Sequence, residues 1–211
     1  MTKPATRADG TASTRRTYQK ASLRRSQILA RAIQLFAEKG VGASLRAIGE
    51  SIGVSHAALR YYFASRDELL VDVYREHEAA ITEQLPDRAS PVAVMLHSAE
   101  QNRSIPGLVQ LYATLTTDAL QVDKHPAAHE FIRGRFRAVR AELTERIRDA
   151  QRAGTIAPDI DSKDAASLVI AASDGLQVQW LLEPDTVDVS RVLQLLERLF
   201  PGSTSTASDD R

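Results

Sequence analysis

Between its prolines the chain spaces apolar residues by three and four, and that spacing leaves few folds open to it. The clearest stretch follows Pro126, a residue type favoured in the first turn of a helix. Ile132, Phe136, Val139, Leu143, Ile147 and Ala150 step by 4, 3, 4, 4 and 3, which sets them along one helical face. Gly154 supplies the stop. After a Pro-flanked linker (86–91), Pro106, Pro126, Pro158, Pro184 and Pro201 fall at intervals of about one helix each. No Asn-Gly or Asp-Gly turn lies between alternating apolar residues, and no run has the period of two that a half-buried strand needs. The spacing predicts an all-α fold of about nine helices, near 22–39, 45–52, 56–62, 66–83, 91–103, 106–121, 126–153, 162–183 and 187–200.

The 211 residues are enough to bury a real core, and 43% hydrophobic with 26% charged residues is the balance of a globular chain. There is no cysteine, which excludes disulfides, a thiol nucleophile and cysteine-ligated metal. No uncharged apolar run approaches the ~18–20 residues of a membrane span, and the first residues lack a secretory apolar core. A cytoplasmic protein is expected. The net charge of zero conceals an asymmetry: residues 1–75 hold 13 Lys+Arg against 6 Asp+Glu, and residues 76–211 hold 14 against 21. One end can meet a polyanion and the other cannot.

Residues 44–63 read SLRAIGESIGVSHAALRYYF. Ser44 sits where an N-cap belongs, before a short helix that buries Leu45, Ile48 and Ile52. Gly53 can take a left-handed turn, Val54 tucks beneath it, and Ser55 caps a second helix that buries Leu59 and Phe63. This is a helix-turn-helix pattern, and its second helix would aim its first residues at base edges in a major groove. His56 and Arg60 can donate to purine acceptors, and Ala57 permits close approach. Ser44, Ser55, Tyr61 and Tyr62 offer hydroxyls to phosphates, while Arg46 and Arg66 bring charge. A plain αα-turn with Tyr61, Tyr62 and Phe63 all in the core is the alternative. The basic stretch holding Arg15, Arg16, Lys20, Arg24 and Arg25 adjoins the motif, where it can enter a minor groove.

The stretch 26–74 resembles the N-terminal domain of TetR-type one-component regulators. The resemblance rests on Ala32 and Phe36 before Gly40, Ser44, Ile48, Gly53, Val54 and Ser55, then Leu59 through Phe63, Ser65, an acidic pair and Leu69. Arg60, Tyr62 and Arg66 stand where the family often has Tyr, His and Lys; each keeps a donor, so base preference is what they leave open. Residues 106–136 resemble a subgroup of the family's C-terminal domains. The resemblance implies a homodimer that binds a palindromic operator and releases it when a small molecule enters the C-terminal domain. The domains expected are a disordered basic tail (1–21), a helix-turn-helix domain (22–66), a helical effector-binding and dimerisation domain (67–201) and a disordered tail (202–211).

In the C-terminal part, Leu168, Ala172, Gly175, Gln179 and Leu182 form one face of a helix that is apolar almost all round, with small residues at its middle. With Val192, Leu196 and Leu199 of the next helix they are the expected dimer seam, a four-helix bundle across a twofold axis. Core packing within a monomer is the alternative. Asp174 lies inside the apolar helix with Gln177 a turn on, so it needs a partner: an Arg of the 126–153 helix, an effector donor or a group across the dimer. Met95, Tyr112, Phe131 and Trp180 are candidate pocket walls, each equally usable as core. His125, His129 and Glu130 have a spacing that can hold metal, but no third strong ligand is evident; capping is expected, with no metal and no cofactor. Arg133, Arg137, Arg140, Arg146 and Arg148 could form a nucleic-acid stripe, but Glu142 and Glu145 stand at helical spacing from Arg146 and Arg148, so a solvated ion-pair face is expected.

Three functions follow. A regulator that binds DNA as a dimer and is released by a ligand uses both halves of the chain. An architectural DNA-binding protein without an inducer leaves the acidic half without a role. An enzyme is not expected: the sequence has no P-loop, GxGxxG, HExxH or GxSxG.

Overall fold

The computed structural model describes residues 23–36, 44–82 and 89–198. Among the described residues there are nine helices and no strand. They are α1 (23–36), α2 (Leu45–Ile52), α3 (His56–Tyr62), α4 (Arg66–Thr82), α5 (Pro91–Ser104), α6 (Leu108–Asp118), α7 (Pro126–Arg152), α8 (Ser162–Leu182) and α9 (Val189–Glu197). The expected tails, 1–21 and 202–211, and the seam residue Leu199 lie outside the described residues.

The helices begin where short polar side chains can take up an orphan amide. Ser44, Ser55 and Ser90 each accept from the backbone N–H three residues on, Asp161 accepts from Lys163 and Asp164, and Asp188 from Arg191. At α6 the expected span 106–121 is too long. Gly107 has φ 81°, which no right-handed helix accommodates, so the helix opens at Leu108. At the other end tight turns from Thr117 and Asp118 lead the chain away toward α7.

Two apolar clusters form the interior. The first joins α1, α2 and α3 to Leu69, Leu70, Val71, Val73 and Tyr74 of α4 and runs on into α6 and the first half of α7. The second fills the space between α5, the far half of α7, α8 and α9. Each fully buried Leu or Ile in them stabilises the fold by ~1.5–3 kcal/mol. The first cluster crosses the boundary expected near residue 66, because α4 packs one flank on the N-terminal helices and the other on α6 and α7. Among the described residues α8 is the one helix that is by length and composition alone apolar enough to cross a membrane. Here Ala165, Ala166, Val169 and Ile170 of α8 lie in the second cluster.

Candidate nucleic-acid interface and buried polar core

The turn between α2 and α3 is set by two glycines. Gly53 adopts φ 68° and ψ 33°, and its N–H and that of Val54 close back onto the end of α2. Gly49 was not singled out in the sequence, yet a Cβ there would lie 2.7 Å from Val54 O and 2.9 Å from Leu59 Cδ1. Its bare backbone lets the turn and α3 seat against α2. A glycine on the inner side of a short helix, four residues before a turn glycine, was the available signal. Arg31 of α1 donates to Ile52 O at 2.8 Å and holds the end of α2 from the other side.

This packing buries Leu59 and Phe63 and turns the opposite face of α3 outward. Ser44, Arg46, Ser55, His56, Ala57, Arg60 and Tyr61 are exposed, Tyr61 to 79%. His56, Arg60 and Tyr61 lie on one continuous surface and make no hydrogen bond or ion pair among the described residues, Tyr61 touching only the edge of the Tyr62 ring. Tyr62 is half-buried against the core. Arg46 pairs with Glu50 at 2.9 Å on the surface of α2. Arg66 faces Asp118 of α6 at 3.3 Å, so it lies at the junction with the C-terminal helices. Arg25, read as part of the basic stretch, is committed to Asp72 and lies over the Phe63 ring.

Farther in, five helices contribute polar side chains to one buried network. Tyr112 of α6 donates to Asp174 Oδ2 of α8 at 2.9 Å and accepts from Arg135 Nη1 of α7 at 2.9 Å. Arg135 also donates through Nε to Glu78 Oε1 of α4 at 2.6 Å. The Arg of the 126–153 helix thus reaches Asp174 through the Tyr112 hydroxyl. A second strand of the network starts at His77, whose Nε2 lies 3.2 Å from Asn102 Oδ1. Asn102 Nδ2 donates to Gln177 Oε1 at 3.0 Å and lies 3.4 Å from the Tyr74 hydroxyl. Tyr74 stacks on Tyr112 with centroids 5.1 Å apart, and Phe131 meets its edge.

Burial pushes the Asp174 carboxyl up, against the pull of the Arg135 guanidinium and the Tyr112 hydrogen bond. Asp174 Oδ1 is buried and has no hydrogen-bond partner. Burial also holds His77 below the ordinary histidine value, opposed by its bond to Asn102, and pushes Tyr74 up to about 12. Of the predicted pocket residues, Tyr112, Phe131, Asp174 and Gln177 belong to this region, whereas Met95 is buried in the second cluster. Trp180 packs on that cluster too, under the Arg103 guanidinium. Tyr74, His77, Glu78, Asn102 and Arg135 were missed. Arg135 had a signal, since it falls four residues after Phe131 and three after Ile132 on a buried stripe.

On the far side of α8, Leu168, Ala171, Gly175, Val178, Gln179 and Leu182 face outward, Leu168 at 52% and Leu182 at 77% exposure. Leu195 of α9 is also exposed. Ala172 and Leu196, predicted for the same seam, pack against the second cluster, and Val192 is half-buried. His125 and His129 do not converge: His129 Nδ1 is bonded to Ala119 O at 2.9 Å, whereas His125 faces Asp67 and Asp118.

The sequence model described as bacterial regulatory proteins of the tetR family matches residues 28–73, which contain the whole two-helix turn. A second, described as the C-terminal part of BetI-type transcriptional repressors, matches residues 119–201. The chain is 30% identical over 195 residues to the HTH-type transcriptional regulator TtgR of Pseudomonas putida, covering 83% of this chain and 88% of that one. It is 25% identical over 179 residues to the HTH-type transcriptional repressor AcnR of Corynebacterium diphtheriae, covering 83% and 90%. In fold it is similar to a TetR family regulator from Cytophaga hutchinsonii, with a TM-score of 0.67, 18% identity, and 85% and 94% of the two chains covered.

Proposed function

The chain belongs to the TetR family of bacterial transcriptional regulators, and from that premise we propose how its parts divide the work. Two copies join through the outward faces of α8 and α9, present their α3 helices to a palindromic operator, and let go when a small molecule occupies the core around Tyr112 and Asp174. The protein is a DNA-binding regulator of the repressor type and not an enzyme. Its place of action is the cytoplasm, at the nucleoid while it is bound. Nothing supports the architectural alternative, since the matched relatives are named as transcriptional regulators.

The observation that carries the reading is the outward face of α3. His56, Arg60 and Tyr61 are held out by a capped, glycine-turned pair of helices and have no competing partner among the described residues. Side chains so placed read base edges and phosphates when the helix enters a major groove. Two such helices fit two half-sites together only at a spacing of about one DNA turn, ~34–36 Å. The sensing end is supported by Asp174, whose Oδ1 lacks a donor that an effector can provide. Tyr74, His77 and Glu78 join that network to α4, and α4 runs directly back to α3. An effector that repacks the network moves the reading heads, and a coupling of ~1–3 kcal/mol lowers operator affinity roughly 5–150-fold.

The test is fluorescence anisotropy of the purified protein on DNA from upstream of its own gene and on shuffled DNA of equal length, over several salt concentrations. Saturable binding to the first, with two chains per site and a steep salt slope, is expected. Equal affinity for the two DNAs, or none for either at low salt, would sink the reading.

A further inference from the structure

We propose that the corner where α4, α6 and α7 meet binds a divalent transition-metal ion through Asp67, Asp118 and His125. One donor atom from each of these residues lies within 4.8 Å of the others. Asp67 is the residue that needs the ion. Its side chain is only 5% exposed; Oδ2 accepts from Ala128 N in the first turn of α7 at 2.9 Å, and Oδ1 is buried with no hydrogen-bond partner. The nearest polar atom recorded for Oδ1 is His125 Nδ1 at 3.5 Å, beyond a good hydrogen bond. The imidazole stands between two carboxylates, with Nε2 3.9 Å from Asp118 Oδ1. Arg66 approaches the other Asp118 oxygen at 3.3 Å.

Charge and geometry both favour a cation. Two carboxylates against one guanidinium leave an excess negative charge when His125 is neutral, and neutral imidazole is the form that ligates metal. One nitrogen and two carboxylate oxygens suit Zn2+ or Co2+, with water completing the shell. Bonds of ~2.0–2.1 Å put tetrahedral donors about 3.3 Å apart, so the three must close inward by about an ångström. His125 can do this, being partly exposed at the start of α7 with no side-chain capping bond to break. Asp118 is likewise partly exposed, which gives the ion an entrance.

The consequence lies in where the site falls. Asp67 is in the first turn of α4, immediately after α3, while Asp118 ends α6 and His125 opens α7. A bound ion fastens the start of α4 to the α6–α7 corner and so fixes how the reading head sits on the rest of the chain. This regulatory step rests on the function proposed above; the binding of the ion does not.

Chelator-stripped full-length protein titrated with Co2+, then back-titrated with Zn2+, tests the site without DNA. The expected result is one Co2+ per chain with visible absorption that Zn2+ abolishes. His125→Ala and Asp118→Asn should each weaken binding about tenfold or more while His129→Ala leaves it unchanged. Zn2+ should also raise the melting temperature of the native chain and not that of His125→Ala. No binding at millimolar metal, or equal binding by native and variant chains, overturns the proposal. If the only response at this corner is a pH-dependent melting temperature indifferent to metal, a proton and not a metal bridges the carboxylates, and the proposal fails. Operator affinity measured with and without Zn2+ should change for the native chain alone; a filled site that leaves it unchanged refutes the coupling.

Discussion

In the DNA contact proposed for it, Arg60 would give up no intramolecular bond, since the residue is exposed on α3 with no partner among the described residues. Arg60→Ala is expected to cost ~1–3 kcal/mol of discrimination between operator and shuffled DNA. Anisotropy measures the loss, sedimentation should show an unchanged dimer, and intact discrimination would remove Arg60 from base reading. His77 is the opposite case, a histidine kept neutral by burial against the opposing pull of its bond to Asn102. Its folded pKa lies below the unfolded value of ~6.5, so the unfolded chain takes up the proton first and stability falls as pH drops below about 6.5. His77→Gln should lose less melting temperature than the native chain between pH 7.5 and 5.5; an equal loss in both would assign the pH dependence elsewhere. Residues whose work is local were readable in the sequence. Ser44 and Ser55 as caps follow from spacing alone, as do the surface pairs Glu142–Arg146 and Glu145–Arg148. Residues whose partners lie on other helices were not: His77, Asn102 and Arg135 acquire their roles only when α4, α5 and α7 meet.

Helix boundaries were mostly readable because caps and prolines fix them, and α6 escaped because a left-handed glycine follows Pro106. How closely helices approach was not readable, since that depends on which glycine faces a neighbour. Gly49 faces Val54 O and Leu59, whereas a Cβ on Gly175 meets nothing within 4 Å. Gly49→Ala must therefore push α2 from α3, at an expected ~1–3 kcal/mol of stability and with weakened operator binding. A thermal melt unchanged within ~0.5 kcal/mol would show that the turn yields freely. Gly175→Leu has the reverse signature. Among the described residues nothing meets the new Cβ, and leaving glycine favours the helix by up to ~1 kcal/mol, so a loss of dimer would come from the partner's surface. Sedimentation should show a larger monomer fraction with undiminished helix content by circular dichroism. An unchanged dimer would move the seam away from this face of α8.

At the scale of the whole protein, the operator and effector sites proposed above are joined by α4, and linkage constrains them quantitatively. An effector that weakens operator binding tenfold must itself bind tenfold more weakly when operator is saturating. Isothermal titration of the effector with and without operator duplex measures the two factors, and unequal values would mean that the compound competes for the DNA surface or acts on a further state. The all-helical plan and the charge asymmetry were readable from the sequence, because periodicity and composition are properties of the chain alone. The sharing of one interior by Ile28, Phe36, Leu59, Tyr74, Leu111 and Phe131 was not, because it arises only when distant segments pack. That shared interior bears on exchange between proteins. A head cut at residue 66 and grafted onto another body would leave behind Leu69, Leu70, Val73 and Tyr74, the side chains on which its own helices rest. Chimaeras that trade specificities have to carry the first turns of α4, and the receiving α6 and α7 must offer a matching floor. Head and body therefore cannot be exchanged as independent cassettes, and a graft that replaces one must refit the packing surface of the other.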